Sequence, residues 1–274
     1  MDVLQAGFLF LAALVGGALN SVAGGGSFIA FPALLYAGIP PINANATNTI
    51  ALWPGSAAGA WAYRKEIATE RGMLLRLGLI SLVGGIIGAV LLLLTPQNTF
   101  KTLIPYLLLV ATLLFTFSKQ LVAFLRKLRK QPVPDPTVKT SDNTTTLETP
   151  EITVGFLVMQ FITAIYGGYF GGGIGILMLA TFAVMGMQNI HTMNGLKTLL
   201  ATFINGVAVV TFVLAGAISW PQASVMVVGG ITGGYFGAAV ARKIDPALVR
   251  RFVVVMAFIM TTYFFITTYF IKLK

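Results

Sequence analysis

Long apolar runs separated by short polar stretches make up most of this 274-residue chain. A helix needs about 20 apolar residues to cross a bilayer, and most of the runs approach that length. The two runs at 27–39 and 174–187 are too short to span comfortably. We therefore predict an all-α polytopic membrane protein, because a transmembrane barrel would show short alternating segments instead. The runs lie at about 4–23, 27–39, 44–63, 73–95, 101–124, 152–170, 174–187, 192–216, 222–241 and 248–271.

One polar stretch interrupts this pattern and divides the chain into two nearly equal halves. It opens with "RKLRK" and continues "QPVPDPTVKTSDNTTTLETPE", which is rich in Pro, Ser and Thr. Such a composition cannot bury enough apolar surface to form a core. We predict an N-terminal transmembrane repeat over 1–125, a disordered cytoplasmic linker over 126–151 and a C-terminal transmembrane repeat over 152–274.

The two halves resemble each other in sequence. The triplet "GGG" occurs at 24–26 and again at 171–173, 147 residues later. Further along, "GGIIGA" at 84–89 matches "GGYFGA" at 233–238, 149 residues later. A nearly constant offset over most of each half indicates an internal duplication.

The basic residues indicate how the two repeats are oriented. The loop at 64–76 carries four Lys or Arg residues and its counterpart at 217–224 carries none. The loop at 95–101 carries one and its counterpart at 242–251 carries four. Because cytoplasmic loops are enriched in Lys and Arg, this exchange predicts an inverted-topology repeat in the cell (inner) membrane, with both termini outside.

The glycine triplets are the predicted breaks in two membrane helices. Inverted halves must each cross an odd number of times, so the short runs at 27–39 and 174–187 either cross fully or fold back as re-entrant segments. Glycine permits the positive φ of a sharp break. Facing breaks near the midplane are typical of transporter substrate sites, and the N–H groups that start each following half-helix favour an anion. The alternative is that glycine only allows close helix packing.

Charge narrows the class of ligand. All eight acidic residues lie in predicted loops, the linker or a terminus, which disfavours a cation or metal transporter and a carboxylate proton relay. The chain has no cysteine, and its net charge of +10 reflects cytoplasmic loops rather than nucleic-acid binding. One cation, Lys197, falls inside a membrane helix, where an anionic substrate would neutralise it; the alternative is that its side chain snorkels to the interface.

Polar residues at the same predicted depth complete the candidate site. At the offset of 147 residues, Thr47 pairs with Asn194 and Ile50 with Lys197. Asn and Thr side chains can donate to oxyanion oxygens, although some of them are expected to be helix caps or interhelical hydrogen bonds. His191, the single histidine, is more simply a cap than a proton-coupling group. No metal site and no cofactor is predicted, and the expected substrate-binding residues are Asn20, Ser21, Gly24, Gly25, Gly26, Asn45, Thr47, Asn48, Thr49, Tyr169, Gly171, Gly172, Gly173, His191, Asn194, Lys197 and Thr198.

Two segments carry a resemblance to a known family. "GFLFLAALVGGALNSVAGGGSFIAFPALLYAGIPPINANATNTIALWPGSAAGAW" resembles the N-terminal repeat of the TauE/SafE sulfite-exporter family of membrane permeases, and "IYGGYFGGGIGILMLATFAVMGM" resembles its C-terminal repeat. The resemblance covers nearly the whole chain except the linker. It implies transport of a small sulfur oxyanion or organosulfonate, with the triplets at 24–26 and 171–173 and the polar helix starts after them at the site.

These observations favour a secondary transporter for a small sulfur-containing anion, working by alternating access. A passive anion channel for small oxyanions is the alternative. A membrane enzyme ranks last, because the membrane segments contain no paired carboxylates, metal-ligand cluster or Ser-His-Asp set. The expected partners are the anion and the lipid bilayer, with no nucleic acid, and a homodimer is left open.

Overall fold

The chain is all-helical throughout the residues that its structure, a computed structural model, describes: 1–22, 25–62, 71–128, 153–187, 190–241 and 246–270. Each predicted apolar run forms a helix, because in a bilayer the backbone must satisfy its own hydrogen bonds. The helices are α1 Val3–Val22, α2 Ser27–Tyr36, α3 Pro41–Ala62, α4 Arg71–Leu94, α5 Gln97–Leu128, α6 Val154–Tyr169, α7 Ile174–Met185, α8 Ile190–Leu214, α9 Trp220–Ala241 and α10 Pro246–Phe265, which continues as a π-helical turn, Ile266–Phe270.

Five of the described helices are long and apolar enough to cross a membrane. Helices α2, α6 and α7 are shorter, and α3 and α9 have 22 residues each. Helix α5 extends to Leu128, so the predicted linker begins as helix and the rest of it, 129–151, lies outside the described residues. The five spans are Val3–Asn20, Gly72–Leu94, Gln97–Ser118, Thr192–Leu214 and Leu248–Phe270.

The helices of the two halves pack in corresponding ways. Helix α1 packs along α9 of the other half, and α6 packs along α4. Likewise α3 contacts α8 and α9, and α8 contacts α3 and α4. Each half therefore completes its core with helices from the other half, so the two repeats form one interlocked body.

Glycine contacts repeat at the offsets seen in the sequence. Gly233 of α9 lies against the backbone of Leu14, and Gly84 of α4 lies against that of Phe161. The glycines differ by 149 residues and their partners by 147. One turn later, Gly237 meets Ala18 in the same manner as Gly88 meets Ile165. These contacts bring helix axes together as small residues do in membranes, and they support the duplication. The inverted orientation stays a prediction.

Helices α5 and α10, one from each half, pack against each other. Thr112 and Thr261, which are 149 residues apart, share a buried hydrogen bond of 3.1 Å between their hydroxyls. Near the end of the predicted span of α5, Arg250 donates to the carbonyls of Phe115 and Thr116 at 3.1 and 3.2 Å and to Ser118 Oγ at 2.7 Å. The guanidinium thus ties the start of α10 to that end of α5.

Candidate functional site

Helices end at both glycine triplets, as the sequence predicts. Helix α1 stops at Val22 and α2 starts at Ser27, while α6 stops at Tyr169 and α7 starts at Ile174. The two short helices also end alike, because Gly38 and Gly186 both have positive φ, 82° and 99°. Whether α2 and α7 cross fully or re-enter stays a prediction.

The second break uses the conformational freedom of glycine. Gly171 and Gly173 have φ of 78° and 77°, a region that other residues adopt only at a cost. The Tyr166 hydroxyl donates to the carbonyl of Gly172 at 2.6 Å and braces the loop. Positions 172 and 173 also lie against Ala111 of α5, at 3.4 Å measured from where a Cβ would stand.

The first break uses glycine differently. Gly26 is right-handed, with φ of −59°, and a side chain there would collide with the carbonyl of Gly16. A side chain on Gly25 would collide with Val253 of α10. The described glycines of this triplet are therefore present for close packing, and positive φ is not their role. Asn20, at the end of α1, donates to Ser56 Oγ at 3.1 Å.

Helix α3 contacts both breaks within one helical turn. The buried Asn45 amide donates to the Tyr169 carbonyl at 3.2 Å, two residues before Gly171. The buried Asn48 amide donates to Ser27 Oγ, also at 3.2 Å, at the first residue of α2. Two of the predicted site residues thus bring the two breaks, far apart in sequence, to one place.

Lys197 lies beside the second break. Its stem passes Gly175, with Cδ 3.2 Å from where a Cβ on that glycine would stand. Its ammonium donates to Asn194 Oδ1 at 3.3 Å, its one hydrogen bond within the described residues. The described part of the chain contains a single carboxylate side chain, Asp2 near the N-terminus. An ammonium with a neutral amide as its partner retains an unneutralised charge.

Sequence reasoning missed Asn205, eight residues after Lys197 on α8. Its Oδ1 lies 3.8 Å from where a Cβ on Gly171 would stand. Lys197 contacts α7 at Gly175 and Asn205 approaches the loop at Gly171, so α8 presents both side chains toward the region of the second break. The interval of four residues from Lys197 to Ala201 and from Ala201 to Asn205 places the three along one side of a helix, and this spacing could have indicated Asn205.

Side-chain contacts bear on how the halves pair along α3 and α8. Thr49 Oγ1 donates to the carbonyl of Asn45, and Thr198 Oγ1 to that of Asn194, both at 2.8 Å. These bonds are 149 residues apart, and at that offset Asn48, which bonds Ser27 at the start of α2, matches Lys197, which lies against Gly175 near the start of α7. This pairing differs from the one at 147 residues, which placed Ile50 opposite Lys197.

The predicted threonine donors and the tyrosine already have partners. The hydroxyl hydrogens of Thr49 and Thr198 bond their own helices, as above, and buried Thr47 accepts from the Ser219 backbone N–H at 3.0 Å. The Tyr169 hydroxyl lies 3.3 Å from Thr95 Oγ1. Thr49 and Thr198 thus bond within their own helices, whereas Thr47 and Tyr169 bond distant parts of the fold.

Three predicted site residues lie wholly or in part outside what the structure describes. Gly24 lies outside the described residues. Ser21 and His191 belong to α1 and α8, and the structure describes their backbone only. The polar residues Gln188 and Asn189 before α8 also lie outside the described residues.

Comparison with known proteins bears on what this arrangement does. A protein-family model described as "Sulfite exporter TauE/SafE" matches residues 9–264. A "Probable membrane transporter protein" of Haemophilus influenzae is 30% identical over 251 residues, covering 91% of this chain and 90% of that protein. The "Probable membrane transporter protein ORF9" of a Sinorhizobium species and "Probable membrane transporter protein YfcA" of Escherichia coli K12 are each 26% identical, over 91% and 93% of this chain and 88% and 87% of their own lengths.

No solved structure gives a significant match to the chain. The family model nevertheless covers both repeats and the breaks within them, and the relatives align over nearly their full lengths. The chain is a membrane transporter, and it belongs to the TauE/SafE sulfite exporter family.

Proposed function

We propose that this protein is a secondary transporter that carries a small sulfur-containing anion, such as sulfite, thiosulfate or an organosulfonate, across the cytoplasmic membrane by alternating access. The observation that carries the proposal is the Lys197 ammonium, held on an apolar helix beside a glycine break with a neutral amide as its partner. A cation in the bilayer is costly unless neutralised, and an anionic substrate supplies that charge. The description of the matching family as a sulfite exporter supports a sulfur-containing anion as the substrate.

The geometry supports a site divided between the halves. In the second half, Lys197 lies against Gly175 at the start of α7, and Asn205 approaches Gly171 in the loop before it. In the first half, Asn48 contributes an amide beside the start of α2. Alternating access then corresponds to one half rocking against the other about the α5–α10 pair, as in other transporters built from inverted repeats.

Transport by purified protein in liposomes tests the proposal. Vesicles receive labelled sulfite with thiosulfate, sulfate, a simple sulfonate or chloride as competitor. We expect saturable flux that the sulfur anions reduce and chloride does not. Saturation reflects a single occupied site, so flux that rises linearly to high concentration would indicate a passive channel. Absence of flux for every sulfur anion, with folded protein, would refute the substrate class.

We propose that both termini lie outside and that the linker 126–151 is cytoplasmic, as the exchange of basic loops predicts. The chain has no cysteine, so single cysteines report topology without background. A membrane-impermeant maleimide should label Val3→Cys in intact cells and Thr144→Cys only after permeabilisation. The reverse labelling pattern, or equal labelling of both, would contradict this orientation.

A further inference from the structure

One side-chain oxygen beside the first break has no hydrogen-bond partner within the described residues. Asn48 is 3% exposed, and its Oδ1 is fully buried without a donor. The other end of the same amide is occupied, because Nδ2 donates to Ser27 Oγ at 3.2 Å. Buried polar atoms of this kind cost free energy, and in native proteins they often indicate a missing ligand or water.

The position of Asn48 links this oxygen to the anion site. It corresponds to Lys197 in the other half, and it lies one turn from Asn45, which bonds the end of α6 before the second break. The fold therefore places a fixed donor with a positive charge beside one break and an acceptor without a donor beside the other. Together they complement a ligand that is both anionic and a hydrogen-bond donor.

The charge of the site sets the charge of that ligand. Lys197 is the cation beside the second break, and its single ammonium neutralises one negative charge, while Arg250, one turn before Val253, already donates to two carbonyls and a hydroxyl of α5. A dianion would retain an unpaired charge in a region of low dielectric, where such a charge is costly. A protonated oxyanion, or a sulfonate that bears a hydroxyl group, has one negative charge and one donor.

We propose that Asn48 is a specificity-determining residue, whose side-chain carbonyl accepts a hydrogen bond from a hydroxyl group of the transported anion. The transporter then prefers hydroxyl-bearing monoanions, such as hydrogen sulfite or a hydroxyalkanesulfonate, over dianions and over sulfonates without a hydroxyl group. This inference rests on the proposed function, since it names which sulfur anions the same site selects.

A matched pair of sulfonates tests the inference. 2-Hydroxyethanesulfonate and ethanesulfonate carry the same charge and differ by one hydroxyl group, and each competes with labelled sulfite in proteoliposomes. In the wild type we expect the hydroxyl compound to compete about tenfold more strongly, the usual effect of one satisfied hydrogen bond. In Asn48→Leu, which removes the acceptor, the two should compete equally.

Gln160 provides the matched control. Its side chain is fully buried between α4 and α6, its Nε2 donates to Ser81 Oγ at 2.8 Å, and its Oε1 also has no partner in the described part of the chain. It lies more than two helical turns before the second break. Gln160→Leu should therefore keep the wild-type ratio between the two sulfonates, whereas an effect equal to that of Asn48→Leu would overturn the assignment to Asn48.

The outcomes separate this inference from the function on which it rests. Equal competition by the two sulfonates in the wild type overturns the inference while sulfite flux still supports the function. A tenfold preference that survives in folded Asn48→Leu also overturns it, and Asn48→Ala, which likewise has no acceptor, serves the same comparison if the leucine variant does not fold. Absence of sulfite flux in the wild type refutes the function and the inference together.

Discussion

Lys197→Ala is expected to abolish saturable anion transport while leaving the protein folded. Removing one partner of a buried charge pair costs about 2–5 kcal/mol, which corresponds to at least about thirtyfold in affinity. Folding should tolerate the change, because the ammonium makes one neutral hydrogen bond, to Asn194, within the described residues. The measurement is labelled sulfite flux as a function of concentration, with protein recovery checked by size-exclusion chromatography.

Two variants control the Lys197 experiment. Lys197→Arg keeps the positive charge and should retain part of the flux, since a guanidinium also binds oxyanions. Lys101→Ala removes an exposed lysine near the start of α5 and should leave flux unchanged. Normal saturation in Lys197→Ala would show that this side chain snorkels to the interface and does not meet the substrate.

Gly233→Leu is expected to destabilise the protein strongly. A Cβ at this position would overlap three backbone atoms of Leu14, namely the carbonyl oxygen, the carbonyl carbon and Cα. These atoms belong to one rigid stretch of helix, so none can shift alone. Overpacking against mobile side chains costs about 1–3 kcal/mol, and backbone cannot yield as a side chain does, so we expect about 3 kcal/mol or more. The measurement is the thermal unfolding midpoint in detergent, followed by intrinsic tryptophan fluorescence.

The repeat supplies a second test of this packing. Gly84→Leu should be similarly destabilising, because a side chain there meets Ala164 at 2.7 Å and the carbonyl of Phe161 at 3.0 Å. Gly7→Leu, at a position with no atom within 4 Å of a new Cβ, is the control and should unfold at the wild-type temperature. Equal midpoints for Gly233→Leu and Gly7→Leu would contradict the close approach of α1 and α9.

The helices were predictable from sequence, and the physical reason is the bilayer. Long apolar segments must satisfy their own backbone hydrogen bonds, so hydropathy alone predicts where they lie. The breaks were predictable because three consecutive glycines are poor helix formers that permit unusual φ. The different roles of the two glycine triplets could not be predicted from sequence. Gly26 has an ordinary φ, and glycine is required there because of the close contact with Gly16, ten positions earlier.

The side-chain partners within the site could not be predicted from sequence. Asn45 bonds Tyr169 at a separation of 124 residues, and no local pattern indicates such a pair. The offset of 149 residues that pairs Asn48 with Lys197 rests on their contacts at the starts of α2 and α7, which no local sequence pattern indicates. Asn205 was overlooked because its significance depends on facing Gly171 across the fold.

Counterflow of sulfite tests the central claim most directly. Proteoliposomes loaded with unlabelled sulfite are diluted into a trace of labelled sulfite, with the membrane potential held at zero. An alternating-access transporter exchanges one anion for another, so the account predicts transient accumulation of label above its external concentration, absent in Lys197→Ala. Label that only equilibrates, without accumulating, would contradict the account and would identify a passive pore.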